Sequence, residues 1–269
     1  GKWRANMRLG FIGAGNMAQA MIGGILAKEI VKKEDIIASA ATQNTIDKVA
    51  KEFGINVTLD NREVAKADIV FLAVKPFYYE EVIDGIKDVV DEKQLIISVA
   101  AGKSVEWVEN AFGGKKKIVR IMPNTPALVG EAVTAICPNA NITDGEKQEI
   151  VELIASFGLA QIVSEKIMDA VIAVSGSSPA YVFMFIEAMA DAAVAEGMPR
   201  VQAYQFAAQS VLGSAKMVLE TGKHPGELKD MVCSPSGTTI EAVKVLEEKG
   251  FRSSIIEAMS ACADKSRNM

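Results

Sequence analysis

Residues 8–18 read RLGFIGAGNMA, a short apolar run that leads into a glycine-rich turn and then into a helical pattern. The turn matches GxGxxA, with Gly13, Gly15 and Ala18 at its fixed positions. Between a strand and a helix, such glycines permit a tight turn and a close approach of the backbone to a pyrophosphate, and a small third residue keeps helix and strand close. The N–H groups at the start of the helix also attract phosphates. The stretch therefore predicts a dinucleotide-binding turn, with an ordinary strand–helix turn as the alternative.

Strand-like and helix-like segments continue to alternate to about residue 163. The further strand-like runs lie at 35–40, 67–74, 94–100, 117–122, 131–138 and 160–163. A continuous apolar run such as ADIVFLAV, residues 67–74, is typical of a strand covered on both faces. Strands that alternate with helices form parallel βαβ units. We expect an α/β fold class, in which residues 7–163 form an N-terminal Rossmann-type, doubly wound sheet that binds NAD(P).

After residue 163 the strand-like patterns end and helical patterns take their place. The predicted helices cover 165–174, 179–196, 201–220, 225–232 and 238–249. Because long helices in so small a unit bury little area alone, residues 164–269 are expected to form an all-α helical domain that makes a subunit interface. The apolar stretch 179–195 carries Glu187 and Asp191, which predicts a buried helix of a soluble protein rather than a membrane span.

Composition narrows the range of functions. The chain is 49% apolar with a net charge of −5, which predicts a full core and argues against a nucleic-acid partner. Cys137, Cys233 and Cys262 are widely spaced, which is typical of a reducing cytoplasm, and no signal peptide is visible. His224 is the one histidine, so a Ser-His-Asp triad or a multi-histidine metal site has few residues to draw on. We expect a cytoplasmic protein with no metal and no membrane association.

The end of the second predicted strand bears on the choice of cofactor. An acidic residue there would bind the ribose 2′-hydroxyl and repel a 2′-phosphate, but residues 38–44 read ASAATQN. The absence of an acid favours NADPH, while the absence of an arginine leaves NADH open. Ser39, Thr42, Gln43 and Asn44 could reach a 2′-phosphate, and a plain polar loop is the alternative for each.

Three other predicted strands end in unusual loops, AVKP at 73–76, VAAG at 99–102 and MPNTP at 122–126. Ligands of open α/β sheets bind beyond the carboxyl ends of the strands. The three loops together therefore predict one wall of a cofactor-binding site. The stiff loop between two prolines could present backbone carbonyls or the amide of Asn124 to a ring. Lys75 could act as an acid or could serve the geometry of the strand end.

Six ordered blocks of sequence resemble the pyrroline-5-carboxylate reductase family. They are GFIGAGNMA (10–18), LAVKP (72–76), SVAAG (98–102), MPNTPALVGEA (122–132), DAV with SGSSPAY (169–181) and HPGELKDMV with SPSGTTI (224–240). The resemblance implies an oxidoreductase that acts on a CH–NH group. In that family NAD(P)H delivers a hydride to C5 of 1-pyrroline-5-carboxylate, a cyclic imine, and yields L-proline in the last step of proline biosynthesis.

The resemblance also implies roles for individual residues. The implied cofactor contacts are Ile12, Gly13, Ala14, Gly15, Asn16, Met17 and Ala18 at the pyrophosphate, Ser39 and Asn61 at the adenosine half, and Ala73, Val74, Lys75, Pro76, Ala100, Ala101, Gly102 and Asn124 at the nicotinamide half. The implied substrate contacts are Glu165, Ser175, Ser234, Gly237, Thr238 and Thr239. Thr239 would lie closest to the reacting ring as the catalytic residue, and the substrate carboxylate would bind N–H groups at the start of its helix.

The helical part of that family intertwines with a partner, which implies a homodimer or a larger homo-oligomer. The chain departs from the family at three positions. Ser178 and Ser236 stand where the family usually has glycine, and Met231 stands where a polar residue is common. These departures bear on pocket shape and affinity rather than on the reaction.

Two alternative functions stay open. A dehydrogenase of β-hydroxy acids would share the architecture but needs a lysine on the long helix after residue 164, and residues 179–196 contain none. A non-catalytic NADP-binding sensor would keep GxGxxA without needing Glu165 or the loop at 234–239. His224 is an alternative to Thr239 as the catalytic group.

Overall fold

An eight-stranded sheet organises the first part of the chain. The computed structural model describes residues 6–269. Within that range the strands are β1 Leu9–Ile12, β2 Ile36–Ser39, β3 Asn56–Thr58, β4 Ile69–Leu72, β5 Leu95–Ser98, β6 Lys117–Met122, β7 Ala132–Pro138 and β8 Gly158–Ile162. Their order in the sheet is β3-β2-β1-β4-β5-β6-β7-β8. The first six are parallel, β7 runs antiparallel to β6, and β8 is parallel to β7. The predicted α/β fold class is confirmed.

Helices of very different lengths connect and follow these strands. The α-helices of residues 6–269 are α1 Asn16–Ala27, α2 Gln43–Phe53, α3 Asn61–Val64, α4 Tyr79–Ile86, α5 Val105–Phe112, α6 Asp144–Ile154, α7 Met168–Val171, α8 Ser178–Ala195, α9 Arg200–Thr221, α10 Pro225–Val232, α11 Thr238–Glu248 and α12 Phe251–Arg267. Short 3₁₀ turns lie at Lys33–Asp35, Pro76–Tyr78, Thr125–Val129, Ala155–Phe157 and Glu165–Ile167, and a π-helical turn covers Ile172–Gly176.

Both faces of the sheet are covered, as the continuous apolar runs predict. Leu9 and Phe11 of β1 pack into one hydrophobic cluster, while Ile12 packs into the cluster on the opposite face. The rings of Phe11 and Phe71 stack with centroids 4.3 Å apart and planes within 9°. Because successive side chains of a strand point to opposite faces, each central strand contributes to both clusters. This two-sided core fixes the central strands, whose carboxyl ends carry the predicted cofactor loops.

Some elements differ from the expected ones. The segment 165–174 is helical as predicted, but its helix is irregular and passes from a 3₁₀ turn through α7 into a π turn. Strand β3 was not predicted, because its three residues at the edge of the sheet form no apolar run. Helix α12 was not predicted either, since Ala263 is its one buried residue and no strong apolar stripe marks it.

Packing divides the chain into two units. One unit ends at Gly176 and also includes Ala263–Met269, and the other is Ser177–Cys262. This division lies later than residue 163 because Met168 and Val171 pack against Met122 in a small cluster of the sheet unit. The domain boundary between residues 163 and 164 stays a prediction.

Helix α8, in the second unit, is largely exposed in the single chain. Ala190 is its one buried residue, and Phe183 and Met184 are 59% and 68% exposed. Helix α9 packs along α8, and the rings of Phe185 and Phe251 of α12 have centroids 6.2 Å apart. These contacts leave most of the large apolar side chains of α8 exposed, so the expectation that this helix is buried is wrong for the isolated chain. The continuous helical run at 165–195 is long and apolar enough to cross a membrane, but one such helix is weak evidence for a span.

Two adjacent glycines of α1 give a test of how tightly this helix packs. A Cβ at Gly24 would lie 2.6 Å from Cβ of Phe157, whereas one at Gly23 would lie 3.6 Å from its nearest neighbour, in Phe53. We expect Gly24→Ala to lower the free energy of unfolding by about 1–3 kcal/mol because it overpacks the contact. Gly23→Ala should raise it by about 0.5–1 kcal/mol through helix propensity. Urea unfolding of both variants measures these free energies. Changes of the same sign in the two variants would contradict the described packing.

Candidate active site

The glycine-rich turn has the shape that a pyrophosphate needs. Gly13 has a φ of +102°, and a Cβ there would lie 2.7 Å from the carbonyl oxygen of Ala73. Its N–H donates to the carbonyl of Ser39 at 3.1 Å. Around Gly15 a Cβ would meet no atom within 4 Å, and no side chain of the described residues caps α1. The turn therefore leaves open space in front of a helix N-terminus, where phosphate oxygens can accept backbone hydrogen bonds.

A cavity of about 520 Å³ adjoins this turn, a volume within the range of small-molecule sites. Its lining includes Gly13, Ala40, Asn61, Val74 and Tyr78. The cavity thus brings residues of the predicted pyrophosphate, adenosine and nicotinamide segments together within one unit. Its place beyond the carboxyl ends of β1, β2 and β4 is the usual location of a dinucleotide in such sheets.

Ser39 has a different geometry from the one expected. It is fully buried, and its hydroxyl donates to Oδ1 of Asn61 at 2.6 Å. A direct contact of this hydroxyl with a 2′-phosphate is therefore not available in this arrangement, because its proton is used inside the fold. Ser39 instead orients the amide of Asn61, which lines the cavity.

The polar residues after β2 are partly used in helix capping. The Thr42 hydroxyl accepts from the N–H of Thr45 at the start of α2, and Gln43 donates to Asp47 at 2.8 Å. Arg62, next to Asn61, is paired with Asp88 at 2.7 Å. The Asp88 carboxylate, through a hydrogen bond first and then its charge, raises the pKa of Arg62. Contacts of this region with a 2′-phosphate stay a prediction.

Asn124 is buried, and both ends of its amide are used. Nδ2 donates to the carbonyl of Ser175 at 3.0 Å, and Oδ1 accepts from the N–H of Val133 at 2.9 Å. One hydrogen bond at each atom fixes the orientation of the amide and leaves one N–H and one lone pair, so its presentation to a ring stays a prediction. Ser175 lies in the π turn, and its hydroxyl donates to the carbonyl of Val171 at 3.0 Å. The two residues join the end of β6 to a π turn, an element that is frequent at functional sites.

Glu165 lies in a polar cluster that includes a residue missed from the sequence. Its Oε2 accepts from the Arg120 guanidinium at 3.0 Å and from the N–H of Val105 at 2.9 Å. Arg120 is 7% exposed, and its Nε has no partner among the described residues. An arginine inside the apolar strand KIVRIM was the signal that could have identified it. Because Val105 begins α5, Glu165 stabilises the segment that follows Ala100–Gly102.

Cys137 adjoins this cluster but is not a nucleophile. Burial first, and then the negative charge of Glu165, raise the pKa of its thiol to about 11. The thiol therefore stays protonated near neutral pH, and only the thiolate is strongly nucleophilic.

The loop before α11 has the conformation expected for an open helix N-terminus. Gly237 is the residue before α11, its N–H donates to the carbonyl of Ser234 at 3.1 Å, and a Cβ there would lie 2.5 Å from Oγ of Ser234. No side chain of the described residues caps α11. Ser236 has a φ of +61°, a left-handed conformation that explains why a glycine is usual there. Thr238 and Thr239 form the first turn of α11.

His224 has a structural role in the second unit. Its Nδ1 accepts from the N–H of Gly226 at 2.9 Å and so caps α10. Capping accounts for this residue without a catalytic role.

Comparison with known proteins identifies the family. A family model described as pyrroline-5-carboxylate reductase dimerisation matches residues 165–269, and one described as NADP oxidoreductase, coenzyme F420-dependent, matches residues 8–102. The pyrroline-5-carboxylate reductase of Escherichia coli strain K12 is 51% identical over 97% of this chain and 98% of its own length. The chain belongs to the pyrroline-5-carboxylate reductase family. The reductase of Methanosarcina acetivorans is 43% identical over 98% of both chains.

Solved structures of the family have the same fold over the whole chain. A pyrroline-5-carboxylate reductase from Coxiella burnetii matches with a TM-score of 0.91, 35% identity and 98% coverage of both chains. The Plasmodium falciparum pyrroline carboxylate reductase, solved with NADP bound, matches with a TM-score of 0.88, 34% identity and the same coverage. Prephenate dehydrogenase from Aquifex aeolicus has a TM-score of 0.55 at 13% identity, which shows a shared fold alone.

Membership of the pyrroline-5-carboxylate reductase family confirms several predictions. The family, the reductase class, the NADP cofactor and the α/β domain followed by a helical dimerisation domain agree with these matches. The exposed apolar face of α8 lies within the matched dimerisation region. The roles of individual site residues stay predictions.

Glu165 can be tested for its structural role. We expect Glu165→Ala to lower the free energy of unfolding by about 1–3 kcal/mol, because the buried Arg120 loses a hydrogen-bond partner. Lys166→Ala, at the exposed neighbouring position, should change it by less than about 0.5 kcal/mol. Equal unfolding curves for the two variants would show that the ion pair adds nothing to stability.

Ser236 can be tested for backbone strain. Ser236→Gly should raise the melting temperature slightly or leave it unchanged, because the left-handed conformation costs a non-glycine residue about 1 kcal/mol. Ser236→Val should lower it, since a β-branched side chain tolerates a positive φ poorly. Differential scanning calorimetry measures both, and a higher melting temperature for the valine variant would be inconsistent with the described loop.

Proposed function

We propose that this chain reduces 1-pyrroline-5-carboxylate to L-proline with NADPH as the preferred hydride donor. The observation that carries the proposal is the 51% identity to the Escherichia coli reductase over 97% of the chain. The NADP in the Plasmodium falciparum relative supports the choice of cofactor. The full-length match leaves a β-hydroxyacid dehydrogenase and a non-catalytic sensor without a supporting observation of their own.

The cofactor fits the geometry of the sheet unit. Gly13 and Gly15 leave the space in front of α1 that a pyrophosphate needs. Asn61, held by Ser39, lies on the wall of the adjoining cavity, where an adenosine ribose would bind. Ala73–Pro76 and Ala100–Gly102 follow the neighbouring strands β4 and β5, and we assign them to the nicotinamide half. When bound, NADPH supplies the hydride that reduces the imine.

The substrate needs positioning rather than covalent activation. A cyclic imine is readily protonated, and the resulting iminium accepts a hydride at C5, so the protein has to orient the ring and hold its carboxylate. We assign the carboxylate to N–H groups at Gly237–Thr239, supported by the uncapped start of α11. The Thr239 hydroxyl orients the imine nitrogen. Ser175, Ser234 and Glu165 are assigned to the substrate side by resemblance, with Glu165 acting through Val105 and Arg120.

We propose that the active form is a homodimer built through the helical domain, with a larger homo-oligomer as a further level of assembly. The matched dimerisation region and the exposed apolar face of α8 support this arrangement. A second copy that covers Phe183 and Met184 would remove their apolar surface from water. The three cysteines are free, which supports the cytoplasmic location proposed for the enzyme.

A direct assay tests the activity. Addition of 1-pyrroline-5-carboxylate to the protein and NADPH should lower the NADPH absorbance and form one L-proline for each NADPH oxidised. The same assay with NADH measures the cofactor preference. Intact NADPH binding without oxidation would favour the sensor and overturn the proposal.

Thr239 is tested by an isosteric pair of variants. Thr239→Val keeps the shape of the side chain but removes the hydroxyl, so we expect kcat to fall about tenfold or more, in line with the loss of a hydrogen bond that aligns the imine. Thr239→Ser retains the hydroxyl and should keep most of the activity. His224→Ala serves as a control that weakens the cap of α10 without touching the substrate. Full activity of the valine variant would disprove the assigned role.

A further inference from the structure

Tyr79 occupies a buried junction between the ends of two strands. It is the first residue of α4, and none of its surface is exposed. Its hydroxyl donates to the carbonyl of Leu72 and accepts from the N–H of Val99 at 3.0 Å and from the Ser98 hydroxyl at 3.2 Å. A phenol has one proton and two acceptor positions, so its hydrogen-bonding capacity is fully used.

The junction lies where β4 and β5 end. Leu72 and Ser98 are partners in the register of these parallel strands and are the last residues of each. The direct hydrogen bond from the Val99 N–H to the Leu72 carbonyl is 3.3 Å long, and the Tyr79 oxygen offers the same N–H a shorter one. The hydroxyl therefore bridges the two strands at the last point of their pairing.

The two segments that leave this junction are the loops assigned to the nicotinamide. Ala73–Pro76 follows β4, and Ala100–Gly102 follows β5 after Val99. The ring of Tyr79 also packs near Trp107, with centroids 6.5 Å apart, and the ammonium of Lys103 lies 4.2 Å from the Trp107 ring centroid. Contacts on both its hydroxyl and its ring thus connect Tyr79 to the segment around residues 99–103.

The Tyr79 hydroxyl keeps its roles as donor and acceptor near neutral pH. Burial raises the pKa of Tyr79 to about 12, so the hydroxyl stays protonated and keeps donating to the Leu72 carbonyl. Because tyrosine has two side-chain torsions and this ring is fully enclosed, its oxygen is a fixed point against which the two strand ends are set.

We propose that Tyr79 is a positioning residue for cofactor binding, whose hydroxyl sets the spacing between Ala73–Pro76 and Ala100–Gly102. The proposal rests on the assignment of these loops to the nicotinamide half in the proposed function. Tyr79 does not touch the cofactor, since it is enclosed behind the loops. It acts through the carbonyl of Leu72 and the N–H of Val99, to which it is hydrogen-bonded.

The experiment compares two variants of α4 in the full chain. Tyr79→Phe removes one oxygen atom and leaves the ring, and Ile83→Val, at a fully buried position one turn later, removes one methyl group from the core. We expect Tyr79→Phe to raise the Kd of NADPH, measured by calorimetry, about tenfold, and to leave the KM of the imine within about twofold, because the loss misaligns the cofactor loops. Ile83→Val should lower the melting temperature without changing the Kd.

An unchanged Kd of NADPH in Tyr79→Phe overturns the proposal, and a second measurement shows which part failed. Hydrogen exchange of the Val99 amide should be faster in this variant than in the parent and in Ile83→Val. Faster exchange with unchanged affinity shows that the bridge exists but that the loops do not bind the nicotinamide. Unchanged exchange shows that the hydroxyl does not hold the strand ends, and the loop assignment survives.

A milder variant covers the case in which Tyr79→Phe does not fold. Ser98→Ala removes one of the three hydrogen bonds of the Tyr79 hydroxyl, and we expect it to raise the Kd of NADPH about twofold to fourfold. No change in that Kd then overturns the proposal. Reduction of the imine by the parent protein is read separately, so failure of the proposed activity is not confused with failure of this inference.

Discussion

The backbone of Gly13 passes so close to the carbonyl of Ala73 that no side chain fits between them. This close approach joins the end of β1 to the end of β4, which pair side by side in the middle of the sheet. The strand order reverses at this point, because β2 and β3 lie on one side of β1 in the sheet while β4 lies on the other. The crevice at this switch point, the start of α1 and the adjoining cavity all depend on that contact.

Several residues predicted to contact ligands also hold the geometry of the site through hydrogen bonds within the fold. Ser39 orients Asn61, Asn124 joins the strand end to the π turn, and Glu165 connects Arg120 to the start of α5. Tyr79 holds the ends of two strands in the same way. A site that binds two rings and a carboxylate needs its loops at fixed separations, and buried hydrogen bonds supply these because a buried polar group left unpaired is costly.

The helical part of the chain has a different physical basis. The sheet unit has a closed core on both faces, whereas α8 presents large apolar side chains to solvent in the single chain. Such a surface is typical of a region that folds against a partner, and the family's dimerisation model covers it. The apolar side chains that the single chain leaves exposed are therefore the surface that dimerisation would bury.

The sequence by itself determined the α/β class, the positions of most strands, the glycine-rich turn and the family, because these depend on local periodicity and on residue types at short spacing. It also marked Ser236 as a departure, although only its positive φ shows why glycine is usual there. The tertiary structure alone decided that Arg120 pairs with Glu165, that Tyr79 bridges Leu72 and Val99, and that both amide atoms of Asn124 are used. These contacts join residues far apart in the chain, and no local pattern records which buried polar groups meet once the strands are paired.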